Sequence, residues 1–387
     1  MRTFDRLCRI VLASSIFSLG YVGGTACGQS PIGIVSNIPQ PAPSADAFST
    51  SLRYDSYGDL YAWDGLNIWM ERAGSSVFSS VGSVASGNQA DAGPITFSQN
   101  GHSLLLSNGA GGYDMSDACN GAFWTMPVSG GSAAHVAGAG VPYAYDALAL
   151  PAASTIPRSG SKYIVNAGTS DYMSSSLSIF DASTGTDKVV IANGPGATTS
   201  IAINPKNNSL YVGVGYGADV GKIYSFSLSQ IDSAYDSGTP IDFLSGGVLF
   251  DSKGTGSQIG AGMFFDKDGY LFAGGFGFTV FRPDGTVCYN QGSGYNDLTF
   301  DPADGEVLVM PYGESEGLLY RATSFEPARP YQTTDFSWPH DAQPYGALVG
   351  PVAGKANCPS VPEPSTVILL LAGGLAALAY RWQRTAK

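Results

Sequence analysis

The chain has 387 residues, a net charge of −12 and only 13% charged residues. Phosphate-rich partners attract basic surfaces, so this acidic balance argues against a protein that binds nucleic acid or anionic lipid. The 51 glycines, 21 tyrosines and 19 phenylalanines favour strands joined by tight turns over a helical bundle, and 44% hydrophobic residues are enough for a large core.

The first 28 residues have the pattern of a secretory signal peptide. Arginines within the first nine residues precede an apolar stretch from Ile10 to Val22, and small residues follow up to Gly28. A basic segment, an apolar segment and a small-residue cleavage site in this order direct export. The sequence therefore predicts a signal peptide over 1–28. Lipidation of Cys27, which follows a small-residue tripeptide, remains an open alternative.

A linker and a repeated region follow the signal peptide. Residues 29–48 are rich in proline and serine and predict the linker. Within 49–327 an apolar strand, a polar turn, a second apolar strand and a third strand recur at a period of roughly 40–60 residues. The aligned turn residues are Gly58, Gly101, Ser161, Asn208, Gly269 and Gly305.

Six such repeats, each with three or four strands, predict an all-β fold, a six-bladed β-propeller over 49–327. The strands are almost continuously apolar, as expected when neighbouring blades cover both of their faces. By this pattern alone the region resembles the propellers of the NHL and SMP-30-like superfamily. A jelly-roll or sandwich array remains an alternative.

The search for chemistry in this region gives few candidates. None of the three histidines, His102, His135 and His340, has a second ligand at metal spacing. The segment Asp266–Gly269 begins like a calcium loop but leads into a strand, which predicts a hairpin turn. The sequence therefore predicts no catalytic, cofactor-binding or metal-binding residue. A calcium ion in the acidic loop with Asp114 and Asp117, next to Cys119 and Asn120, is left open.

Two aromatic segments and three cysteines complete the candidates. Residues 109–113 and 143–146 place tyrosines beside polar groups, a composition that suits stacking against sugars and equally suits packing between blades. An exported compartment permits one disulfide among Cys119, Cys288 and Cys358, but spacing does not establish the pairing.

The C-terminal part combines a proline-rich stretch with a three-part tail. Residues 328–360 predict a cap followed by an extended stalk. The tail over 361–387 starts with a rigid Pro-Glu-Pro and continues into an uncharged apolar segment, 366–380, that predicts a short transmembrane helix. Basic residues after the helix favour the cytoplasmic side, so everything upstream lies outside the cytoplasm. They are Arg381, Arg384 and Lys387.

This tail resembles the PEP-CTERM sorting signal of Gram-negative envelope proteins. The resemblance rests on the motif Val361, Pro362, Glu363, Pro364 and Ser365, followed by the helix and the basic cluster in the right order. It implies recognition by an exosortase after export by the general secretion machinery. The chain would first lie in the inner membrane and then reach the cell surface or the extracellular matrix. An ordinary single-span tail anchor is the alternative.

These features leave three classes of function. We expect a non-enzymatic envelope or matrix protein whose propeller binds a glycan, such as an exopolysaccharide, or a surface protein. One alternative is a propeller hydrolase, lyase or lactonase with a metal site at the channel mouth. For a lactonase, the resemblance to the SMP-30-like superfamily implies a metal held by a Glu, an Asn and an Asp. The other is a structural surface spacer without a discrete ligand. A fold shared by many activities does not choose between them.

Overall fold

The computed structural model describes residues 31–39, 51–84, 93–107, 122–137, 141, 144–157, 159–169, 173–251, 262–311 and 316–325. No helix in these ranges is long and apolar enough to cross a membrane. The predicted signal peptide, stalk and tail, including the helix predicted over 366–380, lie outside the described residues.

The described part consists mainly of strands, which confirms the all-β class. The strands are β1 (Gly33–Ser36), β2 (Ser51–Tyr54), β3 (Leu60–Trp63), β4 (Asn67–Glu71), β5 (Phe78–Val84), β6 (Ile95–Phe97), β7 (Ser103–Ser107), β8 (Phe123–Pro127), β9 (Gly131–His135), β10 (Ala147–Ala149), β11 (Lys162–Gly168), β12 (Ser175–Asp181), β13 (Thr186–Gly194), β14 (Thr198–Asn204), β15 (Ser209–Val214), β16 (Ile223–Ser227), β17 (Ile241–Asp242), β18 (Val248–Asp251), β19 (Met263–Phe265), β20 (Leu271–Ala273), β21 (Gly275–Phe281), β22 (Val287–Asp301), β23 (Glu306–Pro311) and β24 (Glu316–Arg321). Two α-helices, α1 (Leu228–Ser237) and α2 (Phe243–Gly246), and two 3-10 helices, Ser159–Ser161 and Ala322–Phe325, accompany them.

The pairing register divides these strands into six successive four-stranded antiparallel units. Units I, II and III are β2–β5, β6–β9 and β10–β13, and unit IV is β14, β15, β16 and β18. Unit V is β19–β21 with the first part of the long strand β22. Unit VI is the last part of β22 with β23, β24 and β1.

The pairing of β1 corrects one sequence prediction. Residues 33–36 belong to the predicted linker, yet they pair in antiparallel register with β24, from Gly33 opposite Leu319 to Ser36 opposite Glu316. The N-terminal segment therefore supplies the fourth strand of the last unit. The strand has only four residues, Gly-Ile-Val-Ser, and prolines surround it, so this short run was not enough to predict a strand.

The hydrophobic core of the described residues is divided into six clusters, each between two neighbouring units. Five of them join I to II, II to III, III to IV, IV to V and V to VI. The sixth joins VI back to I, where Leu308 and Met310 of β23 and Val35 of β1 pack against Leu52 and Leu60. The first strand of each unit also contacts the first strand of the next, and β22 contacts β2. This arrangement explains the continuous apolar strands, because each unit has a neighbour on both faces.

The polar turns of the repeat are largely as predicted. Five of the six aligned turn residues have a positive φ, which a tight turn requires: Gly58, Gly101, Asn208, Gly269 and Gly305. Ser161 differs, because it ends a 3-10 helix within the longer connection between β10 and β11.

Helix α1 is an element that the strand pattern did not predict. The Ser227 side chain caps its N-terminus in a capping box with Gln230, and Gly238 ends it with φ 71°. Ile231 packs into the cluster between units III and IV. Asp232 accepts hydrogen bonds from Ser154 Oγ at 2.6 Å and from the backbone N–H of Thr155 at 2.8 Å, so the helix is anchored to the β10–β11 connection.

Candidate functional site

Antiparallel pairing gives the molecule two different ends. The turn end carries the connections from the first to the second strand of each unit, which are short except in unit III. The loop end carries the connections from the second to the third strand and from one unit to the next. The longest connection of the loop end, between β7 and β8, spans residues 108–122.

Carboxylates at the turn end act as acceptors for their own hairpins. Asp55 Oδ1 accepts the backbone N–H of Tyr57 at 2.8 Å and of Asp59 at 3.0 Å. Asp266 makes the same pair of bonds to residues two and four positions later, at 2.9 and 3.0 Å. This is the geometry of an Asx turn, which holds a tight reversal in place. The hairpin predicted for Asp266–Gly269 is confirmed.

A buried ion pair lies where the first strands meet. Arg53 of β2 donates from Nη2 to Asp146 Oδ1 at 3.2 Å, and from Nε to the carbonyl oxygen of Ile95 in β6 at 3.3 Å. Only 11% of the Arg53 side chain and 7% of the Asp146 side chain are exposed. Asp146 directly precedes β10, and its Oδ2 accepts the backbone N–H of Ile201 in β14 at 2.9 Å. One ion pair thus links the first strands of units I to IV.

Asn166 supports this pair from β11. Its Oδ1 accepts the backbone N–H of Tyr145 at 2.9 Å and of Asp146 at 2.8 Å, and its Nδ2 donates to the carbonyl oxygen of Thr198 at 2.6 Å. Burial raises the pKa of Asp146, while Arg53 and backbone N–H groups oppose that rise. Arg53 therefore balances the charge of the Asp146 carboxylate, and both carboxylate oxygens accept hydrogen bonds from other groups of the chain.

Sequence reasoning missed Arg53 and Asn166. The available signal was an arginine in the short first strand Ser-Leu-Arg-Tyr, at a position where other repeats carry apolar or hydroxyl residues. A buried arginine requires a partner, but the sequence did not indicate that the partner would come from unit III, 93 positions later.

Several buried hydroxyl groups also lie on the first strands of units IV and VI. Thr198, Thr199 and Ser200 of β14 and Thr299 of β22 are buried, and their hydroxyl oxygens have no hydrogen-bond partner among the described residues. Within the same residues, no three side chains of His, Cys, Asp or Glu are placed to hold a metal ion.

The other sequence candidates are spread over the molecule. His102 is exposed in a turn, and His135 is exposed with its ring 5.8 Å from that of Trp124. Cys288 is half-buried in β22, whereas Cys119 and Cys358 lie outside the described residues, so no disulfide prediction is tested. The remaining candidates outside the described residues are 109–113, Asp114, Asp117, Asn120, Tyr143, His340, the motif 361–365, Arg381, Arg384 and Lys387.

Comparison with known proteins separates the tail from the body. Residues 360–384 match the PEP-CTERM protein-sorting motif. A search of curated protein sequences gives no match. Among solved structures, a gluconolactonase from Xanthomonas campestris is 14% identical, with a TM-score of 0.51 over 74% of this chain and 87% of the other. A regucalcin from Agrobacterium tumefaciens, described as a calcium-binding protein, is 12% identical, with a TM-score of 0.50 over 73% of this chain and 85% of the other.

At these identities the solved structures show a shared fold and nothing finer. Both neighbours are propellers of the SMP-30 and NHL type, in agreement with the resemblance that the repeat pattern indicated. The chain therefore carries the PEP-CTERM protein-sorting motif at its C-terminus and a body with a propeller-like fold.

Proposed function

We propose that the chain is an exported envelope or extracellular-matrix protein that an exosortase sorts through residues 361–387. In this proposal the head is a six-bladed β-propeller that binds a glycan or a protein at its loop end without catalysing a reaction. The signal peptide 1–28 directs export, and the helix 366–380 holds the precursor in the inner membrane until processing.

The observation that carries the sorting part is the PEP-CTERM match over 360–384. The matched residues include the Pro-Glu-Pro, the apolar segment and two basic residues, Arg381 and Arg384. A processing enzyme needs an accessible extended segment, and prolines at 362 and 364 keep that segment out of the helix that follows.

Six four-stranded units and six interfacial clusters support the propeller geometry of the head. Each unit has the size expected for a blade, and a hydrophobic cluster joins unit VI to unit I as the other clusters join successive units. In this geometry the first strands line the centre, and the loop end is the face with the longest connections. Binding residues concentrate on loops that a rigid scaffold positions.

The ion pair between Arg53 and Asp146 favours binding over metal-assisted catalysis. A catalytic metal at the centre would need a carboxylate with open coordination sites. Asp146 already accepts from a guanidinium and from backbone N–H groups. The described glutamates also lie on outer strands, Glu71 on β4, Glu306 on β23 and Glu316 on β24.

The gluconolactonase-like fold favours a lactonase as the second candidate function. Its metal site would require a Glu, an Asn and an Asp that converge at the channel mouth. The first strands in the described part contain no Glu, so such a site would have to draw its Glu from a connection of the loop end.

Residues 31–360, expressed without either signal, test the head. We expect binding to a glycan array or to surface proteins, no retained metal and no lactone hydrolysis. Tyr145→Ala, next to the central ion pair, is expected to weaken glycan binding at least tenfold. Tyr57→Ala is the matched control, because Tyr57 is 38% exposed at the opposite, turn end. Retained metal together with lactone hydrolysis would support the lactonase instead.

Replacement of Pro362, Glu363 and Pro364 by alanine tests the sorting. The precursor is expected to accumulate in the inner-membrane fraction, with loss of the processed form from the surface and the medium. Alanine at Pro344 and Pro351, which precede the matched segment, is the control and is expected to leave release unchanged. Normal release of the triple variant would refute exosortase sorting.

A further inference from the structure

The contact between unit VI and unit I concentrates acidic side chains. We call this contact the seam; it is formed by the turn 55–59, the turn 301–305 and the strand β1. Asp55, Asp59 and Asp301 are 0%, 3% and 5% exposed. None of the ion pairs in the described part of the chain involves these three carboxyl groups.

Each of these carboxyl groups accepts a backbone N–H with one oxygen. Asp55 Oδ1 accepts from its own hairpin, Asp59 Oδ1 accepts the backbone N–H of Ala73 at 2.8 Å, and Asp301 Oδ1 accepts that of Ala303 at 2.8 Å. The second oxygens of Asp55 and Asp59 are buried and have no hydrogen-bond donor among the described residues. A buried acceptor without a donor costs free energy, and an ionised one costs more.

The two turns approach each other closely. A Cβ placed on Gly58 would lie 3.2 Å from Asp301 Oδ2 and 3.3 Å from the Cβ of Ala303. The carboxyl group of unit VI therefore rests directly against the turn that Asp55 holds.

The charged groups around the seam are mostly of the same sign. Burial, with Asp59 and Asp301 nearby, raises the pKa of Asp55 to about 7. Burial, with Asp304 and Glu306 nearby, raises the pKa of Asp301 to about 6.

The strands beside the two turns add further groups. Burial raises the pKa of Glu71 on β4 to about 7. Burial also raises the pKa of Tyr54 on β2, and the nearby carboxylates of Asp301 and Glu71 raise it further. The pKa of Glu306 on β23 is raised by burial and by Asp304, and Arg321 on β24 opposes that rise. Arg72, next to Glu71, is exposed.

We propose that the seam is a proton-dependent closure, in which protonated carboxyl groups at Asp55 and Asp301 hold the first unit against the last. A protonated carboxyl group supplies the O–H donor that the buried oxygens lack and removes the repulsion between the two turns. When both groups ionise, the repulsion loosens the seam, and with it the pairing of β1 to β24. The head is therefore closed more tightly in mildly acidic surroundings than in alkaline ones.

Unit IV provides the basis for a clean variant. Asn204 occupies the position of Asp55 and Asp301 in its own unit, and its Oδ1 accepts the backbone N–H of Lys206 at 2.9 Å. An amide therefore holds the same turn without a charge. Asp55→Asn and Asp301→Asn should keep their hairpins while they remove the titration.

Amide hydrogen exchange of the full chain in a mild detergent tests this closure at pH 5.5 and pH 8.0, with rates corrected for intrinsic exchange. We expect the opening equilibrium of residues 33–36 and 55–59 to increase at least tenfold at pH 8.0, while β12 in unit III stays unchanged. The double variant Asp55→Asn, Asp301→Asn should lose most of this difference between the two pH values, because Glu71 is then the main group left at the seam that titrates in this range. Asp284→Asn is the control, because Asp284 is an exposed turn residue of unit V and should leave the wild-type behaviour intact.

Three outcomes would overturn the proposal. The first is equal opening of the seam at both pH values in the wild type. The second is an equal pH-dependent increase in all units, which would indicate global unfolding. The third is closure at pH 8.0 on addition of Ca²⁺ alone, abolished in the double variant, which would make the seam a cation site instead of a proton-dependent closure.

Discussion

The centre and the seam bury carboxyl groups to a similar extent but surround them with neighbours of opposite kinds. At the centre, Asp146 lies against Arg53 and backbone N–H groups, so its charge has donors on every side. At the seam, Asp55 faces two other carboxyl groups. The comparison shows that burial alone does not decide how a carboxyl group contributes to stability. Its neighbours decide whether it is stable as an anion or as a neutral acid.

The largest effect is expected from the loss of the cation at the centre. Arg53→Met leaves Asp146 buried without its charged partner, and this should destabilise the head by about 3–5 kcal/mol. Denaturant unfolding at pH 7 measures the change. The double variant Arg53→Met, Asp146→Asn is the control and should recover a large part of the loss. If the double variant is as unstable as the single one, the unpaired charge is not the cause.

The second expected effect concerns the support of the same pair. Asn166→Leu removes an acceptor from two backbone N–H groups and a donor to the carbonyl oxygen of Thr198. Unpaired buried groups should lower the free energy of unfolding by about 2–3 kcal/mol. Asn207→Ala in an exposed turn is the control and should change it by less than about 0.5 kcal/mol. Similar values for the two variants would show that Asn166 does not support the pair.

Alanine substitutions at two glycines, one at the seam and one away from it, test how closely the two turns of the seam pack. Gly58 and Gly74 have φ angles of 85° and 75°, but only Gly58 has neighbours within 4 Å of an added Cβ. Gly74→Ala should cost about 1 kcal/mol from its φ alone, and Gly58→Ala about 1 kcal/mol more. Thermal unfolding of both variants measures the difference. Equal costs would mean that the two turns are not tightly packed.

The smallest expected effect is a change in pH dependence. The pKa of Asp301 is raised to about 6 in the folded state, so its protonated form stabilises the fold below pH 4, and this contribution is lost as pH rises through about 6. Asp301→Asn should be neutral at pH 4 and stabilise the head by about 1 kcal/mol at pH 8. Unfolding curves across this range provide the measurement. A variant that is less stable than the wild type at pH 8 would contradict the assignment.

The repeat pattern was visible in the sequence because its causes are local. A tight turn needs positive φ, and five of the six aligned positions carry the glycine or asparagine that permits it. The third strand of each repeat was visible for the same reason, since it is an apolar run next to a turn. Helix α1 was not predicted, because its stability comes from a capping box and from packing into the cluster between units III and IV.

The candidate sites depended more strongly on distant contacts. No pattern in the sequence indicates that Arg53 and Asp146 pair across 93 positions, or that Asp55 and Asp301 lie close to each other. The sequence predicts a linker where β1 lies because the partner of β1, β24, follows about 280 residues later in the chain. Such contacts exist only in the assembled fold, and those of β1 and of Asp55 with Asp301 exist only after the last unit has met the first.

The sequence by itself determined the sorting motif and the repeating unit. Sorting depends on a short linear motif that a processing enzyme recognises as a segment, and a β-hairpin depends on residues within a few positions of each other. Tertiary structure alone decided which buried charges are neutralised and which repel, because the free energy of a buried charge depends on its spatial neighbours. It also decided that the N-terminal strand completes the last unit, since edge pairing requires the assembled sheet.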